Sequence, residues 1–158
     1  MSKKKLLSIH LNEFNLSFLR YGAKKFNYQN IKKLLKFKII KTYSIDKVQD
    51  KNLDPWVQTV TINTGKSSNF HQIYKTGQTI PANLIQIWDK LSQNKIYCAV
   101  WGSMNTRFKD NSYIKIFFPD PWNKQNDVKP KILKNVFNLP RSYAKSYTDF
   151  NIYKNFKY

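Results

Sequence analysis

The segment Asn52–Gly65, with the sequence NLDPWVQTVTINTG, has the pattern of a helix with favourable capping residues at its start. Asp54 is a favoured N-cap residue, Pro55 suits the first helical position, and Gly65 can end the helix in a left-handed conformation. Because the first N–H groups of a helix lack intrahelical partners, such a start also favours an anion. The segment predicts a capped helix, whose start is either purely structural or a place for phosphate chemistry.

Short apolar runs on either side of this helix predict strands, and they lie at residues 5–9, 37–45, 96–101 and 113–118. The run from Ile96 to Trp101 is apolar at every position, which is typical of a strand that is buried on both faces within a parallel sheet.

Helical periodicity appears between these runs. Phe14, Phe18 and Tyr21 recur at spacings of four and three, and Gly22 is expected to break that helix. Further helices are predicted at 30–36, from Pro81 onward, and at 128–136. Since strands and helices alternate, the sequence predicts an α/β fold with a parallel sheet flanked by helices.

The composition bounds the class of protein. The chain has 158 residues, a net charge of +19, 16% aromatic residues and 41% hydrophobic residues, which together indicate an ordered basic domain. Arginine occurs only at Arg20, Arg107 and Arg141, whereas base-specific readers rely on the arginine fork. The lysines are spread along the chain, so a solvated basic face is the ordinary interpretation. An anionic surface, either membrane or nucleic acid, is the alternative partner.

The predicted location follows from cysteine use and from hydropathy. A single cysteine, Cys98, excludes an internal disulfide framework and suits a reducing compartment. No apolar run reaches the length of a membrane span. We expect a cytoplasmic protein, which the basic charge could attach peripherally to the inner membrane.

Several segments, taken in order, resemble a known family. They are Leu11–Asn15 after the first apolar run, Asp54–Gln58, the stretch from Thr64-Gly65 to His71, Ile87-Trp88, Val100–Asn105, and Phe118–Trp122. In this order and spacing they resemble the N-terminal part of alkaline phosphatase-like proteins of bacterial surface-polysaccharide loci. These proteins are distant relatives of nucleotide pyrophosphatases and sulfatases. The resemblance covers roughly residues 5 to 140.

The resemblance implies a parallel α/β sandwich with a site for two divalent metals, usually zinc. It also implies a Ser, Thr or modified Cys nucleophile that attacks phosphorus or sulfur in an ester, here the phosphate or sulfate ester of a glycan. Two metals would clamp the ester oxygens and lower the pKa of the nucleophile.

Carried over residue by residue, the resemblance gives a short set of candidates. His10 stands where the family has its first metal-binding Asp, and it is either a ligand or a hydrogen-bonded structural residue. Asp54 either binds metal or caps the helix. Thr59 and Thr61 are weak catalytic candidates, whose hydroxyls could instead bond the backbone or face neighbours. His71 is expected to orient its loop.

The chain also departs from the family pattern. Leu53 occupies the place of the nucleophile in the pyrophosphatase branch, and the chain has only two histidines, His10 and His71. We therefore expect residues 1–122 to be an alkaline phosphatase-like N-terminal region, and 123–158 a basic aromatic extension or a truncated continuation. The predicted function is that of a truncated or degenerate phosphoryl or sulfuryl ester hydrolase or transferase, weak or inactive alone. The alternative is a non-enzymatic basic binding module.

Overall fold

The computed structural model describes residues 5–12, 14–46 and 53–148, without the side chains of 147 and 148. The chain divides into two compact units, Met1–Tyr43 and Ser44–Tyr158. Helices and a small parallel sheet together make a small mixed α/β fold. No described helix is both long enough and apolar enough to cross a lipid bilayer.

The first unit contains two helices, α1 (Leu16–Lys25) and α2 (Gln29–Leu34). The predicted helices in this region are confirmed, but the details differ. Asn15 caps α1, because its side-chain oxygen accepts from the backbone N–H of Phe18 at 2.9 Å. Gly22 lies inside α1 rather than ending it, and the helix continues to Lys25.

The strands predicted at 5–9 and 37–45 are wrong, since the described residues of both runs are irregular. Side chains that a buried strand would hide are exposed in both runs: Leu6, Leu7, Ile9, Ile39 and Ile40. A strand forms only when another strand accepts its backbone hydrogen bonds, and an apolar run alone carries no such partner.

In the second unit, α3 (Pro55–Thr64) confirms the helix predicted from Asn52–Gly65. Asp54 is its N-cap residue and Gly65 ends it with φ +66°, a left-handed conformation. A single turn of helix, α4 (Ser68–His71), follows. Together α3 and the segment after it bury the apolar cluster of Val60, Ile73, Ile80 and Leu84.

The helix predicted from Pro81 begins later, as α5 (Ile87–Gln93). Gln86 and Asp89 form a reciprocal capping box that fixes this start, while the residues after Pro81 form a turn. Trp88 on α5 is buried against Val100 and Ile114 of the sheet.

The sheet has two strands among the described residues, β1 (Cys98–Trp101) and β2 (Ile114–Phe118). They pair in parallel, with Trp101 opposite Phe118, which confirms the predicted parallel arrangement. The expectation that β1 is buried on both faces is wrong. Val100 is buried, but Trp101 is 64% exposed and stacks on the Phe118 ring at 4.2 Å.

The described chain ends in a 3-10 turn, Lys131–Leu133, and the long helix α6 (Lys134–Thr148). The helix predicted at 128–136 is thus confirmed only for its last three residues, 134–136, which begin α6. Phe137 of α6 meets Phe118 edge to face at 5.1 Å and closes a cluster with Val128. This packing fixes the segment that leaves β2.

Candidate functional site

The loops that follow β1 and β2 lie at the same end of the sheet, because parallel strands share their carboxyl ends. That end is where open α/β sheets place binding sites. The loop after β1 begins at Gly102, and the loop after β2 begins at Pro119. The backbone N–H of Gly102 donates to the carbonyl oxygen of Phe118 at 2.7 Å, so the two loops start together.

Asn105 joins these loops to α3. Its Nδ2 donates to the carbonyl oxygen of Trp56 at 3.2 Å and to that of Lys75 at 2.9 Å. Its backbone N–H donates to Oδ2 of Asp120 at 3.2 Å. Asn105 is buried and has φ +46°, a left-handed conformation that asparagine tolerates better than most residues. Asn105 therefore links three distant segments, two through its side-chain amide and one through its backbone N–H.

Asp120 is the acidic group of this cluster and is 2% exposed. Burial raises the pKa of its carboxyl to about 6, although the backbone N–H groups of Trp122 and Asn105 oppose the shift. Gly77 packs against the loop after β2. A Cβ there would lie 2.4 Å from the carbonyl oxygen of Trp122, so a side chain cannot fit without a backbone shift.

The loop at 105–108 is braced from its far side by α5. Gln86 exchanges two hydrogen bonds with the backbone of Arg107, at 2.9 and 3.1 Å. The Arg107 guanidinium reaches Oδ2 of Asp89 at 3.3 Å, and both side chains are largely buried. Asn123 donates to the carbonyl oxygen of Thr106 at 2.6 Å. The strand-end loops are thus held by buried polar contacts, together with the packing of Phe108 against Phe117.

A second buried cluster surrounds Asp46, between α3 and α4. Its Oδ1 accepts from the backbone N–H of Ser68 at 2.8 Å and from the Ser68 hydroxyl at 2.7 Å. Its Oδ2 accepts from Nε2 of Gln58 at 2.8 Å and from the Thr61 hydroxyl at 3.2 Å. Burial raises the pKa of the Asp46 carboxyl, but these donors outweigh it and hold the pKa below its usual value.

His71 extends the Asp46 cluster. Its Nδ1 accepts from the backbone N–H of Ile73 at 3.0 Å, and its Nε2 lies 3.1 Å from the Thr61 hydroxyl oxygen. Burial lowers the pKa of His71, while the nearby Asp46 charge partly opposes that shift. The ring is therefore neutral at pH 7. Because Nδ1 is an acceptor, the ring proton sits on Nε2 and is donated to Thr61.

This proton arrangement bears on the predicted nucleophiles. A histidine that activates a hydroxyl must present an unprotonated nitrogen to it, as in a Ser-His-Asp triad. Here the nitrogen that faces Thr61 carries the proton, and the Thr61 proton goes to Asp46 or to the carbonyl oxygen of Val57 at 3.4 Å. Thr59 is buried, 8% exposed. In this arrangement the cluster orders α3 and does not prepare a nucleophile.

The predicted metal ligands lie in different units. His10 is an exposed residue of the first unit, and Asp54 is an exposed residue at the start of α3, where its side chain makes no capping hydrogen bond. Among residues 5–12, 14–46 and 53–148, no three His, Cys, Asp or Glu side chains come together. A two-metal centre needs more ligands than a pair, so the described donor set does not fit one.

Sequence reasoning missed Asp46, Ser68 and Asn105 as parts of polar clusters. Asp46 falls in a run of polar residues that reads as an ordinary loop. Asn105 and Asp120 both belong to segments that carry the family resemblance, and an Asp between two prolines directly after a strand was a usable signal. His71 contacts its own loop and α3, and its orienting role stays a prediction.

Comparison of the chain with protein-family models, with curated proteins and with solved structures gives no match.

Proposed function

We propose that this chain is a degenerate relative of the alkaline phosphatase-like hydrolases and transferases that act on phosphate or sulfate esters of surface glycans. In this proposal the chain keeps the loop scaffold of such a site and has little or no hydrolytic activity by itself. The two parallel strands would correspond to part of the parallel sheet of that fold, with α3 as its site helix.

One observation carries the proposal. Asn105 holds together segments that the resemblance singled out separately: Trp56 at the start of α3 and Asp120 after β2. The side-chain amide that bonds Trp56 also bonds Lys75, in the segment that follows His71, while the Asp120 contact is made by the Asn105 backbone N–H. Chance similarity at scattered positions gives no reason for these segments to meet at the carboxyl end of a parallel pair, where α/β proteins bind ligands.

Weak hydrolysis is proposed because of the groups that surround α3. Thr61 is occupied by donors and acceptors of the Asp46 cluster, and His71 presents a protonated nitrogen to it. The described residues do not assemble a two-metal donor set, so no catalytic step is assigned to a metal. What this chain's own residues do is hold the strand-end loops in a fixed, largely water-excluded arrangement.

A cytoplasmic location is part of the proposal. Cys98 is a free thiol, and burial raises its pKa, which leaves it protonated and slow to oxidise.

Ester binding and hydrolysis are tested separately on the full chain. Glucose 6-phosphate and glucose 6-sulfate, titrated by calorimetry, are expected to bind more tightly than glucose. Asn105→Ala should weaken that binding at least tenfold, whereas Asn126→Ala, at an exposed position, should leave it unchanged. Equal binding of the esters and of glucose would contradict the proposal.

Hydrolysis is measured with p-nitrophenyl phosphate and p-nitrophenyl sulfate, with and without zinc or manganese. We expect rates close to the uncatalysed reaction. Turnover of about 1 per second or more, within the usual range of enzymes, would show that the chain is a competent hydrolase. That result would overturn the inactive part of the proposal while leaving the ester specificity standing.

A further inference from the structure

The first unit exposes most of its apolar side chains. Among its described residues, only Ala23 is buried. Leu6 is 93% exposed and Phe18 is 74% exposed. Others that are at least half exposed are Leu7, Ile9, Leu11, Phe14, Tyr21, Phe26, Tyr28, Leu34, Phe37, Ile40 and Tyr43. Scattered exposed apolar residues are normal, but this density in a short unit indicates a surface that meets an apolar partner.

Helix α1 shows how the exposed residues are arranged. Leu16 and Leu19 are half-buried and Ala23 is buried, so this row faces the interior of the unit. Phe18 and Tyr21 lie on the opposite row of α1 and are exposed, and Phe14, which precedes the N-cap Asn15, is exposed as well.

Lys25 continues that exposed row. Its ammonium nitrogen lies 5.4 Å from the ring centre of Tyr21 and 5.5 Å from that of Phe26. The outer row of α1 therefore carries Phe18 and Tyr21 and ends in the cation of Lys25.

The same unit is strongly basic. Residues 1–43 contain eleven Lys or Arg residues against one acidic residue, Glu13, which gives a net charge of +10. The described residues in this range include no Asp or Glu. Exposed cations stand beside exposed apolar side chains, as Lys36 and Lys38 do on either side of Phe37.

We propose that the first unit binds the surface of a membrane that contains anionic lipid. The aromatic and aliphatic side chains enter the boundary between headgroups and acyl chains, and the lysines lie among the anionic headgroups. A basic segment with Phe, Leu and Tyr on its apolar side is the composition of an interfacial element rather than of a spanning one. Lysine stems reach along apolar surface while their ammonium groups stay hydrated.

A second copy of this unit is excluded as the partner of the exposed apolar side chains by like charge, because pairing would bring one +10 surface against another.

The side-chain types decide between lipid and nucleic acid. Nucleic acid has stacked bases and a charged backbone, but it offers no hydrocarbon for Leu6, Leu7, Ile9 and Ile40. An acyl boundary accommodates these side chains directly, because burial of each CH₂ group in hydrocarbon is favourable.

The test uses the full chain and vesicles pelleted by centrifugation. Vesicles of phosphatidylcholine are compared with vesicles that contain one quarter phosphatidylglycerol. We expect strong binding to the anionic vesicles and at least tenfold weaker binding to the neutral ones. Since the apolar contacts are not screened, part of the binding should persist at about 0.5 M salt, where the Debye length falls to a few ångströms.

Two variant pairs separate the apolar contribution from the electrostatic one. Phe18→Ser should weaken vesicle binding at least fivefold, and Phe70→Ser, an exposed phenylalanine of the second unit, should not. The double change Lys36→Gln and Lys38→Gln should weaken it about 30-fold, since each lysine near an anionic leaflet contributes about 1 kcal/mol. Lys109→Gln with Lys124→Gln removes the same charge from the second unit and should weaken it less than threefold.

Melting curves of all variants should match that of the unchanged chain, because every altered side chain is exposed. The proposal is overturned if Phe18→Ser binds vesicles normally and all binding disappears in high salt. It is also overturned if both lysine pairs have equal effects, since net charge alone would then explain binding. Competition by a uridine oligonucleotide that depends on Lys36 and Lys38 but not on Phe18 would identify nucleic acid as the partner instead.

Discussion

Two buried aspartates in the second unit show opposite behaviour. Asp46 and Asp120 are both largely hidden from solvent, and burial raises the pKa of each carboxyl. Asp46 nevertheless has a lowered pKa, because two side-chain hydroxyls, one amide side chain and one backbone N–H converge on it. Asp120 receives mainly backbone N–H groups and keeps a pKa of about 6.

The difference teaches that depth and the kind of donor act together: Asp120 is the more deeply buried carboxyl and backbone N–H groups do not offset its desolvation, whereas side-chain and backbone donors outweigh the smaller desolvation of Asp46. The Asp46 cluster satisfies the charge and ties α3 to α4. The Asp120 cluster leaves part of the desolvation cost in place, at the end of the sheet where the loops of the candidate site meet. Buried groups that retain such a cost are more frequent at functional sites than elsewhere.

The largest effect is expected from Asp46→Ala. The change removes the acceptor of four donors, and the buried Ser68 amide is left without a partner. Each buried donor left unpaired costs about 1–3 kcal/mol, so we expect a loss of about 4 kcal/mol in the free energy of unfolding, measured in urea at pH 7. Asp54→Ala is the control, because Asp54 is exposed and its side chain caps nothing, and it should cost less than about 0.5 kcal/mol. A loss below 1 kcal/mol at Asp46 would contradict the network.

A pH-dependent effect is expected from Asp120. Its folded pKa of about 6 lies above the usual value of 3.8, so the folded state binds the proton more tightly. The stabilisation is complete below pH 3.8 and is lost as pH rises through 6, by about 3 kcal/mol in total. Asp46 has the opposite effect on the pH dependence of stability, because its lowered pKa gives stability that is lost as the pH falls below the ordinary value of 3.8.

The measurement is the difference in unfolding free energy between the unchanged chain and Asp120→Asn, from pH 4 to pH 7. Because Asp120→Asn has no carboxyl to titrate, it should not show the loss of unfolding free energy that Asp120 causes as the pH rises. His71, whose pKa is lowered, gains stability as pH rises toward 6.5, but it does so in both proteins and cancels in the difference. A difference that stays constant over this range would show that Asp120 has an ordinary pKa.

The helices were more predictable than the sheet for a physical reason. The start and end of α3 follow from Pro55 at its first position and Gly65 at its end, which act on their own neighbours. The runs at 5–9 and 37–45 required a partner strand that no local pattern specifies. Trp88 and Trp101 show the same limit: both lie in apolar patterns, yet Trp88 is buried and Trp101 is exposed, since only contacts distant in sequence decide.

The candidate site was harder to predict than the fold. Thr61 was a weak catalytic candidate and His71 was expected to orient its loop, but the sequence could not show that the ring nitrogen facing Thr61 carries the proton, because that depends on the Ile73 amide. Asp46 lies 22 positions before Ser68, its closest partner, and polar residues carry no periodic signal of burial. The metal ligands His10 and Asp54 remain predictions.

The smallest effect is expected from Thr61→Val, which keeps the shape of the side chain and removes its hydroxyl. His71 then loses the acceptor of its Nε2 proton and Asp46 loses one donor of four, so we expect a cost of about 1 kcal/mol. Thr64→Val is the matched control, because its hydroxyl bonds only the local backbone. If Thr61 belongs to the Asp46 cluster, the same change made in Asp46→Ala should cost measurably less than it does alone, since groups in one network are not additive. Equal costs in both backgrounds would separate Thr61 from Asp46 and reopen its hydroxyl as a group available to a substrate.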